Sequence, residues 1–115
     1  MIKLNNLGKT YISNSTLNVG IEHITASFDI NEFVMITGES GSGKSTLLQI
    51  LAGTEPYSYG RMIVDSEDVE YYGEDDWKRY RRDKVAIIHQ DFQLIDDISV
   101  YKNIEIAYDG MEIEV

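Results

Sequence analysis

Cysteine is absent from the sequence, which excludes disulfide bonds and cysteine-ligated zinc within these 115 residues. Proline occurs once, so no proline-rich linker is predicted. Long apolar runs are also missing, and we predict neither a signal peptide at the start nor a segment that crosses a bilayer. We therefore expect one small cytoplasmic domain without direct membrane insertion.

Basic residues are few relative to acidic ones. The chain has 10 Lys and Arg against 20 Asp and Glu, which gives a formal net charge of -10. Proteins that bind nucleic acid by releasing counterions need a surplus of Lys and Arg against the phosphates. We therefore expect no nucleic-acid partner. A single bound nucleotide remains compatible with this charge, because a few local donors can act against the overall field.

The first part of the chain alternates apolar and polar residues, as half-buried strands do. Residues 1–12 predict an edge strand with a turn at Gly8, and residues 17–30 predict a second and a third strand. Residues 61–69 predict a short hairpin strand further along the chain. Together these segments predict an antiparallel β layer.

Two compact apolar runs, residues 33–37 and 85–89, are typical of strands buried on both faces of a parallel sheet. A glycine-rich loop follows the first run, and residues 45–52 then predict a helix that ends at Gly53. The expected fold class is therefore α/β, with the antiparallel layer beside a partial parallel core. Two further helices are predicted, at residues 75–82 and at residues 100–108, the second with Ser99 as its N-cap and Asn103 and Glu105 facing outward.

The glycine-rich loop matches G-x-x-x-x-G-K-[ST] at every fixed position over residues 38–45. The glycines allow the backbone to turn its N–H groups around an anion, and the following helix points its positive end at the same place. Lys44 supplies charge for β- and γ-phosphates, Ser45 can ligate Mg²⁺, and Thr46 adds a donor toward the α-phosphate. The candidate phosphate-binding residues are Gly38, Ser40, Gly41, Ser42, Gly43, Lys44, Ser45 and Thr46.

Rival interpretations of these residues are weaker. The dinucleotide pattern G-x-G-x-x-G would require glycine at position 46 after Gly41 and Gly43, and Thr46 stands there. A chance glycine-serine turn does not explain the predicted strand before the loop and the helix after it. His23 and His89 lack the spacing of a metal-binding motif, so neither is predicted to be a metal ligand.

Several stretches together resemble one protein family. They are residues 38–48, Leu51-Ala52-Gly53 with Pro56 and Gly60, residues 81–95, and residues 99–104. The sequence resembles the N-terminal half of the ATP-binding domain of ATP-binding cassette (ABC) transporters. It is most similar to the branch of lipoprotein-release and macrolide or peptide exporters. This resemblance implies a P-loop NTPase fold, ATP and Mg²⁺ as cofactors, and a subunit whose ATP hydrolysis powers export or lipoprotein translocation.

The resemblance also implies roles for particular residues. Tyr11 occupies the place of the family's A-loop aromatic, which stacks on adenine. Gln90 matches the Q-loop glutamine, which contacts Mg²⁺ or the attacking water. Lys44 and Gln90 are thus the catalytic candidates, and Ser45 and Gln90 the metal ligands. The Q-loop region, through residues 92–97, implies contact with a transmembrane permease at the inner face of the cell membrane. A second nucleotide-binding subunit is the other implied partner.

Three motifs of the family do not occur within residues 1–115: the signature L-S-G-G-Q, the Walker B strand ending in Asp-Glu, and the switch histidine. Phosphoryl transfer needs a positioned water and charge stabilisation as well as a phosphate cradle. We therefore expect this polypeptide alone to bind nucleotide with little or no hydrolysis. Two alternatives remain: a non-hydrolysing nucleotide-binding or regulatory fragment, and a P-loop ATPase outside transport.

Overall fold

The computed structural model describes residues 1–88 and 94–108, with side chains up to residue 106. The strands are β1 (Ile2–Ser13), β2 (Thr16–Phe28), β3 (Tyr59–Val64) and β4 (Glu67–Asp68). The helices are α1 (Lys44–Leu51), α2 (Glu74–Asp83) and α3 (Val100–Tyr108), and a 3₁₀ turn spans Val69–Tyr71. Within the described ranges, no helix is both long and apolar enough to cross a membrane.

The strands form one antiparallel sheet in the order β2-β1-β3-β4, which confirms the predicted antiparallel layer. The predicted edge position of β1 is wrong, because β1 pairs with β2 on one side and with β3 on the other. The predicted turn at Gly8 is wrong too. Gly8 lies within β1 opposite Tyr59, and a Cβ at this position would collide with the Tyr59 ring. Alternating hydrophobicity reveals a buried face, but it does not reveal how many neighbours a strand has.

One continuous strand, β2, occupies the region where two strands were predicted. Asn6 and His23 have left-handed φ values of 51° and 48°, and the ladder between β1 and β2 shifts register around them. The His23 Nδ1 atom lies 2.7 Å from the Asn6 Oδ1 atom, which joins the two irregular positions. The chain therefore absorbs the irregularity as a bulge and continues the strand.

The core joins the inner face of the sheet to α1 and α2. Leu7 of β1, Met62 of β3 and Ile50 of α1 are the largest fully buried side chains among the described residues. The helical prediction for this part of the chain is confirmed: α1 begins at Lys44, and Gly53 follows it with a φ of 77°. Since α1 is held against the sheet, its N-terminus has a fixed position relative to β1 and β2.

The two apolar runs predicted as parallel strands do not form strands in the described part of the chain. Residues 33–37 and 85–88 have no assigned strand structure, with Phe33 90% exposed and Ile88 97% exposed. His89, the end of the second run, lies outside the described residues. An apolar run indicates a tendency to be buried, whereas a strand also requires a neighbouring backbone. The described segments supply no such neighbour, so neither run is paired as a strand there.

The other two helices, α2 and α3, lie in the predicted segments, and their ends carry predicted features. In α2 the first turn carries three acids and the last turn carries Arg81 and Arg82, as the helix dipole favours. The Ser99 hydroxyl accepts a hydrogen bond of 3.1 Å from the Lys102 N–H, which confirms the cap of α3. Asn103 does not simply face outward, because its side chain bonds the backbone N–H and carbonyl of Ile95.

Tyr80 anchors α2 to the core, and its phenol is predicted to make the stability of the fold decrease at alkaline pH. Its hydroxyl donates to the Leu51 carbonyl, and burial, then the charges of Tyr72 and Asp65, raise its pKa to about 12. An unfolded tyrosine has a pKa of about 10. The folded phenol holds its proton more tightly, so this stabilisation is complete below about pH 10 and is lost as the pH rises through about 12.

We expect Tyr80→Phe to lower the free energy of unfolding by about 1 kcal/mol at neutral pH, because one hydrogen bond is lost. The variant should also lose less stability than the parent chain between about pH 10 and pH 12. Urea unfolding followed by circular dichroism at several pH values measures both effects. An alkaline decline as steep as that of the parent chain would contradict the assignment to Tyr80.

Candidate functional site

The glycine-rich loop is wound into a tight turn that leads directly into α1. The Ser42 N–H donates to the Glu39 carbonyl at 3.1 Å, and the Leu47 N–H donates to the Gly43 carbonyl at 3.0 Å. Gly43 is the N-cap residue of α1 and has a φ of 98°. Because glycine is the residue that readily adopts this left-handed conformation, the sequence places the turn and the helix start here.

Gly43 also has no room for a side chain. A Cβ on Gly43 would lie 2.6 Å from the Ile21 Cγ2 atom and would collide with the Gly20 carbonyl oxygen. A Cβ on Gly41, which has a φ of 82°, would meet nothing within 4 Å and would face open space. The loop therefore rests on β2 at Gly43, while Gly41 is free of neighbours on that side.

Lys44 lies across the loop that precedes it. Its Nζ atom donates to the Gly38 carbonyl and, at 2.6 Å, to the Glu39 carbonyl. The Ser42 hydroxyl oxygen lies 3.4 Å from the same Nζ atom. These contacts hold one positive charge beside the inner rim of the loop, where the N-terminus of α1 also points its partial positive charge.

A cleft of about 450 Å³ opens beside this loop. It is lined by Val19, Gly20, Ser40, Gly41, Gly43, Lys44, Ser45 and Thr46. The lining combines a lysine, hydroxyl groups and the start of a helix, so the cleft attracts anions in a chain whose net charge is -10. The structure thus brings together six of the eight predicted phosphate-binding residues on the cleft wall, and Gly38 and Ser42 lie beside Lys44.

Tyr11 stands at the edge of the same cleft, although it is far from the loop in the sequence. Its hydroxyl lies 3.4 Å from the Thr46 Oγ1 atom, and the residue is 37% exposed. An exposed aromatic ring offers a surface on which a flat base can stack. Tyr11 and the glycine-rich loop are close enough to contact one ligand.

Sequence reasoning missed Gly20, which lies in β2 between Tyr11 and the start of α1. A Cβ on Gly20 would lie 2.8 Å from the Tyr11 Cε2 atom and 3.3 Å from the Thr46 Cγ2 atom. The absent side chain lets the ring and the helix approach each other. The available signal was a glycine inside a predicted strand, which often marks a close approach of backbone or ligand.

The hydroxyl oxygen of Ser45 fits the donor preference of Mg²⁺, which binds through hard oxygen ligands and retains phosphate and water ligands. Over residues 1–88 and 94–108 the structure contains no cluster of three acidic or histidine side chains that could hold a metal ion without phosphate ligands. Gln90, the other predicted metal ligand and catalytic candidate, lies outside the described residues, as do Phe92 and its immediate neighbours. The roles of Gln90 remain predictions.

A glycine loop closed around a lysine at the start of a helix defines the class of P-loop nucleotide-binding proteins. The protein-family model described as ABC transporter matches residues 21–115. The chain belongs to the ABC transporter family, as the N-terminal part of its ATP-binding domain.

Two curated relatives illustrate the likeness. The chain is 36% identical over 104 residues to the uncharacterized ABC transporter ATP-binding protein Rv0986 of Mycobacterium tuberculosis, a match that covers 90% of the chain and 42% of Rv0986. It is 33% identical over 113 residues to the macrolide export ATP-binding/permease protein MacB of Campylobacter fetus, covering 96% of the chain and 18% of MacB. The chain thus spans less than half the length of these relatives.

A solved structure extends the likeness to three dimensions. The dimeric ABC transporter cassette MJ0796 of Methanocaldococcus jannaschii superposes with a TM-score of 0.90 at 30% identity, covering 100% of the chain and 50% of the cassette. A second structure of MJ0796, bound to ADP and Pi, gives a TM-score of 0.89 at 29% identity and also covers 50% of that chain. The P-loop NTPase fold class is therefore confirmed, and the chain corresponds to the N-terminal part of a cassette.

Proposed function

We propose that this chain binds Mg-ATP as the N-terminal part of the ATPase subunit of an ABC transporter. The observation that carries the proposal is that Lys44 and the N-terminus of α1 line one cleft of about 450 Å³, and that the Tyr11 hydroxyl lies 3.4 Å from Thr46 on the wall of this cleft. A nucleoside triphosphate has anionic and aromatic parts that match these groups. The bound ADP and Pi reported for MJ0796 support a nucleotide as the ligand.

Each part of the cleft receives one part of the nucleotide in this proposal. The loop N–H groups and Lys44 bind the β- and γ-phosphates, and the Thr46 side chain lies toward the α-phosphate. Tyr11 stacks on adenine. Ser45, with Gln90, holds Mg²⁺, which neutralises charge on the phosphates when bound.

The proposed whole protein couples ATP hydrolysis to export, or to the translocation of lipoproteins or peptides. Its partners are a transmembrane permease, contacted through the region around Gln90, and a second nucleotide-binding subunit. The ATP-binding/permease fusion of MacB and the dimeric cassette of MJ0796 support these two kinds of partner. The chain would then act on the cytoplasmic side of the cell membrane, held there by its permease.

The 115-residue polypeptide by itself is proposed to bind nucleotide without useful turnover. Its loop supplies charge and positioning for the phosphates, but hydrolysis also needs a base and further transition-state contacts. The test is to measure bound nucleotide and released phosphate on the same sample of purified chain with Mg-ATP. We expect about one nucleotide bound per chain and no phosphate release above the buffer rate. Release that Lys44→Ala abolishes would overturn the claim of inactivity, and absence of binding would overturn the proposed function.

Removing the aromatic ring of Tyr11 tests the proposed base contact. We expect Tyr11→Leu to weaken binding of Mg-ATP by about tenfold, because base–aromatic stacking contributes about 1–3 kcal/mol. Binding of inorganic tripolyphosphate should not change, since this ligand has no base. Tyr11→Phe is the matched control and should keep most of the affinity. Equal weakening of both ligands in Tyr11→Leu would mean that Tyr11 supports the loop and does not contact adenine.

A further inference from the structure

Lys9 lies against the Tyr11 ring, two residues before it in β1. Its Nζ atom is 5.1 Å from the centroid of the ring, over the ring face. The Lys9 side chain is only 12% exposed, and its ammonium pairs with Glu55 at 3.3 Å. Neither Lys9 nor Glu55 lines the nucleotide cleft. The Lys9 ammonium therefore makes a cation–π contact with Tyr11, which the phosphate-binding motif does not predict.

From this geometry we infer that Lys9, held in place by Glu55, is a positioning residue that fixes the Tyr11 ring for the nucleotide base. The inference rests on the proposed function, because it assumes that Tyr11 receives a base. An ammonium over one face of an aromatic ring is attracted by the ring electrons, more strongly where water is partly excluded. Because Lys9 lies over one face of the ring, the inferred stacking surface for the base is the opposite face.

The local structure explains why Lys9 reaches this position. Lys9 and Tyr11 are two residues apart in β1, so their side chains leave the same face of the strand. Glu55 follows α1, where the chain returns to pair with β1. The Ser58 N–H donates to the Gly8 carbonyl at 2.8 Å, and the Thr10 N–H donates to the Ser58 hydroxyl at 2.9 Å.

These two hydrogen bonds pin the segment that carries Glu55 to the strand that carries Lys9. The backbone segments that carry Lys9 and Glu55 are therefore fixed relative to each other, in contrast to an exposed ion pair between two free side chains. The Tyr11 ring in turn has two fixed contacts: the Lys9 ammonium over its face and the Thr46 hydroxyl at its own hydroxyl. Both contacts restrict the ring before any base arrives, which lowers the ordering cost of binding.

The experiment compares Lys9→Met with the parent chain by calorimetric titration of two ligands, Mg-ATP and inorganic tripolyphosphate. We expect Lys9→Met to weaken Mg-ATP by about fivefold and to leave tripolyphosphate unchanged, because one cation–π support of the ring is removed. Glu55→Gln should also weaken the binding of Mg-ATP, whereas Lys9→Arg should keep the affinity of the parent chain. Lys3→Met, which removes an exposed lysine from the same strand, is the matched control and should have no effect.

A double variant separates positioning from general structural damage. If Lys9 acts through the ring, then adding Lys9→Met to Tyr11→Leu should weaken Mg-ATP no further. Additive losses, equal losses for both ligands, or unchanged affinity in Lys9→Met would each overturn the inference while the proposed function stands. If the parent chain binds tripolyphosphate but not Mg-ATP, the base contact fails, and with it both the adenine assignment and this inference.

The ring itself provides a readout that needs no ligand. In the parent chain, the Tyr11 ring resonances in a proton NMR spectrum should differ from those in Lys9→Met, because the ammonium no longer lies over the ring. Identical Tyr11 resonances in the two folded chains would overturn the contact on which the inference depends.

Discussion

Substituting alanine for Lys44 should lower the affinity for Mg-ATP by about 100-fold. The Lys44 Nζ atom is the cation beside the inner rim of the loop, next to the Gly38 and Glu39 carbonyls. Hydrogen bonds to charged groups contribute about 1.5–3 kcal/mol, and about 1.4 kcal/mol corresponds to a tenfold change in affinity. Loss of one lysine–phosphate interaction near the upper end of that range gives the expected factor. Calorimetric titration of Mg-ATP measures it.

The matched control for this substitution is Lys78→Ala. Lys78 is an exposed lysine in α2, so its loss changes the net charge equally but leaves the loop untouched. We expect the affinity of this control for Mg-ATP to change by less than about twofold, since exposed charges are largely screened by salt. Equal affinities of Lys44→Ala and the parent chain would contradict the assignment of the loop. Equal weakening in both variants would mean that net charge alone determines binding.

Substituting alanine for Gly43 should lower the free energy of unfolding by about 3 kcal/mol or more. A residue with a side chain held at a φ of 98° is strained, and such strain costs about 1–3 kcal/mol. The new Cβ would also meet the Gly20 carbonyl and the Ile21 Cγ2 atom. The loop and the start of α1 would have to move away from β2. Urea unfolding followed by circular dichroism measures the loss.

The variant Gly41→Ala separates the backbone strain of a left-handed alanine from the steric collision of its Cβ atom with β2. Gly41 has a φ of 82°, so alanine is strained there as well, yet nothing lies within 4 Å of its Cβ position. We expect Gly41→Ala to cost about 1 kcal/mol, which is the strain without the collision. If the two variants lose equal stability, then the packing of Gly43 on β2 does not determine the start of α1.

The features that sequence predicted well depend on local chemistry. The turn of the glycine-rich loop needs glycines at fixed positions followed by a lysine, and the start of α1 at Lys44 follows from the same residues. The cap of α3 at Ser99 likewise depends on a side chain within a few residues of the bonds that it makes. Such signals lie within one turn of the chain, so the sequence alone expresses them.

The features that sequence did not predict depend on partners distant along the chain. The central position of β1 depends on its pairing with β3, in which Ile2 lies opposite Val64 and Gly8 lies opposite Tyr59. The approach of Tyr11 to Thr46 spans 35 residues, and the pairing of Lys9 with Glu55 joins elements on either side of α1. The apolar run at residues 33–37 shows the same limit, because its composition is typical of a buried strand and yet no strand pairs with it in the described part of the chain. Periodicity indicates a buried face, but not what covers it.

The central claim is that the cleft beside α1 binds the nucleotide, and an NMR titration of isotope-labelled chain with Mg-ATP tests it most directly. We predict that the largest changes in backbone amide shifts occur within residues 38–46, with a further change at the Tyr11 ring. The amides of α2, which does not line the cleft, should change little. Shift changes centred on α2, or no shift changes in a folded chain at millimolar Mg-ATP, would contradict this claim.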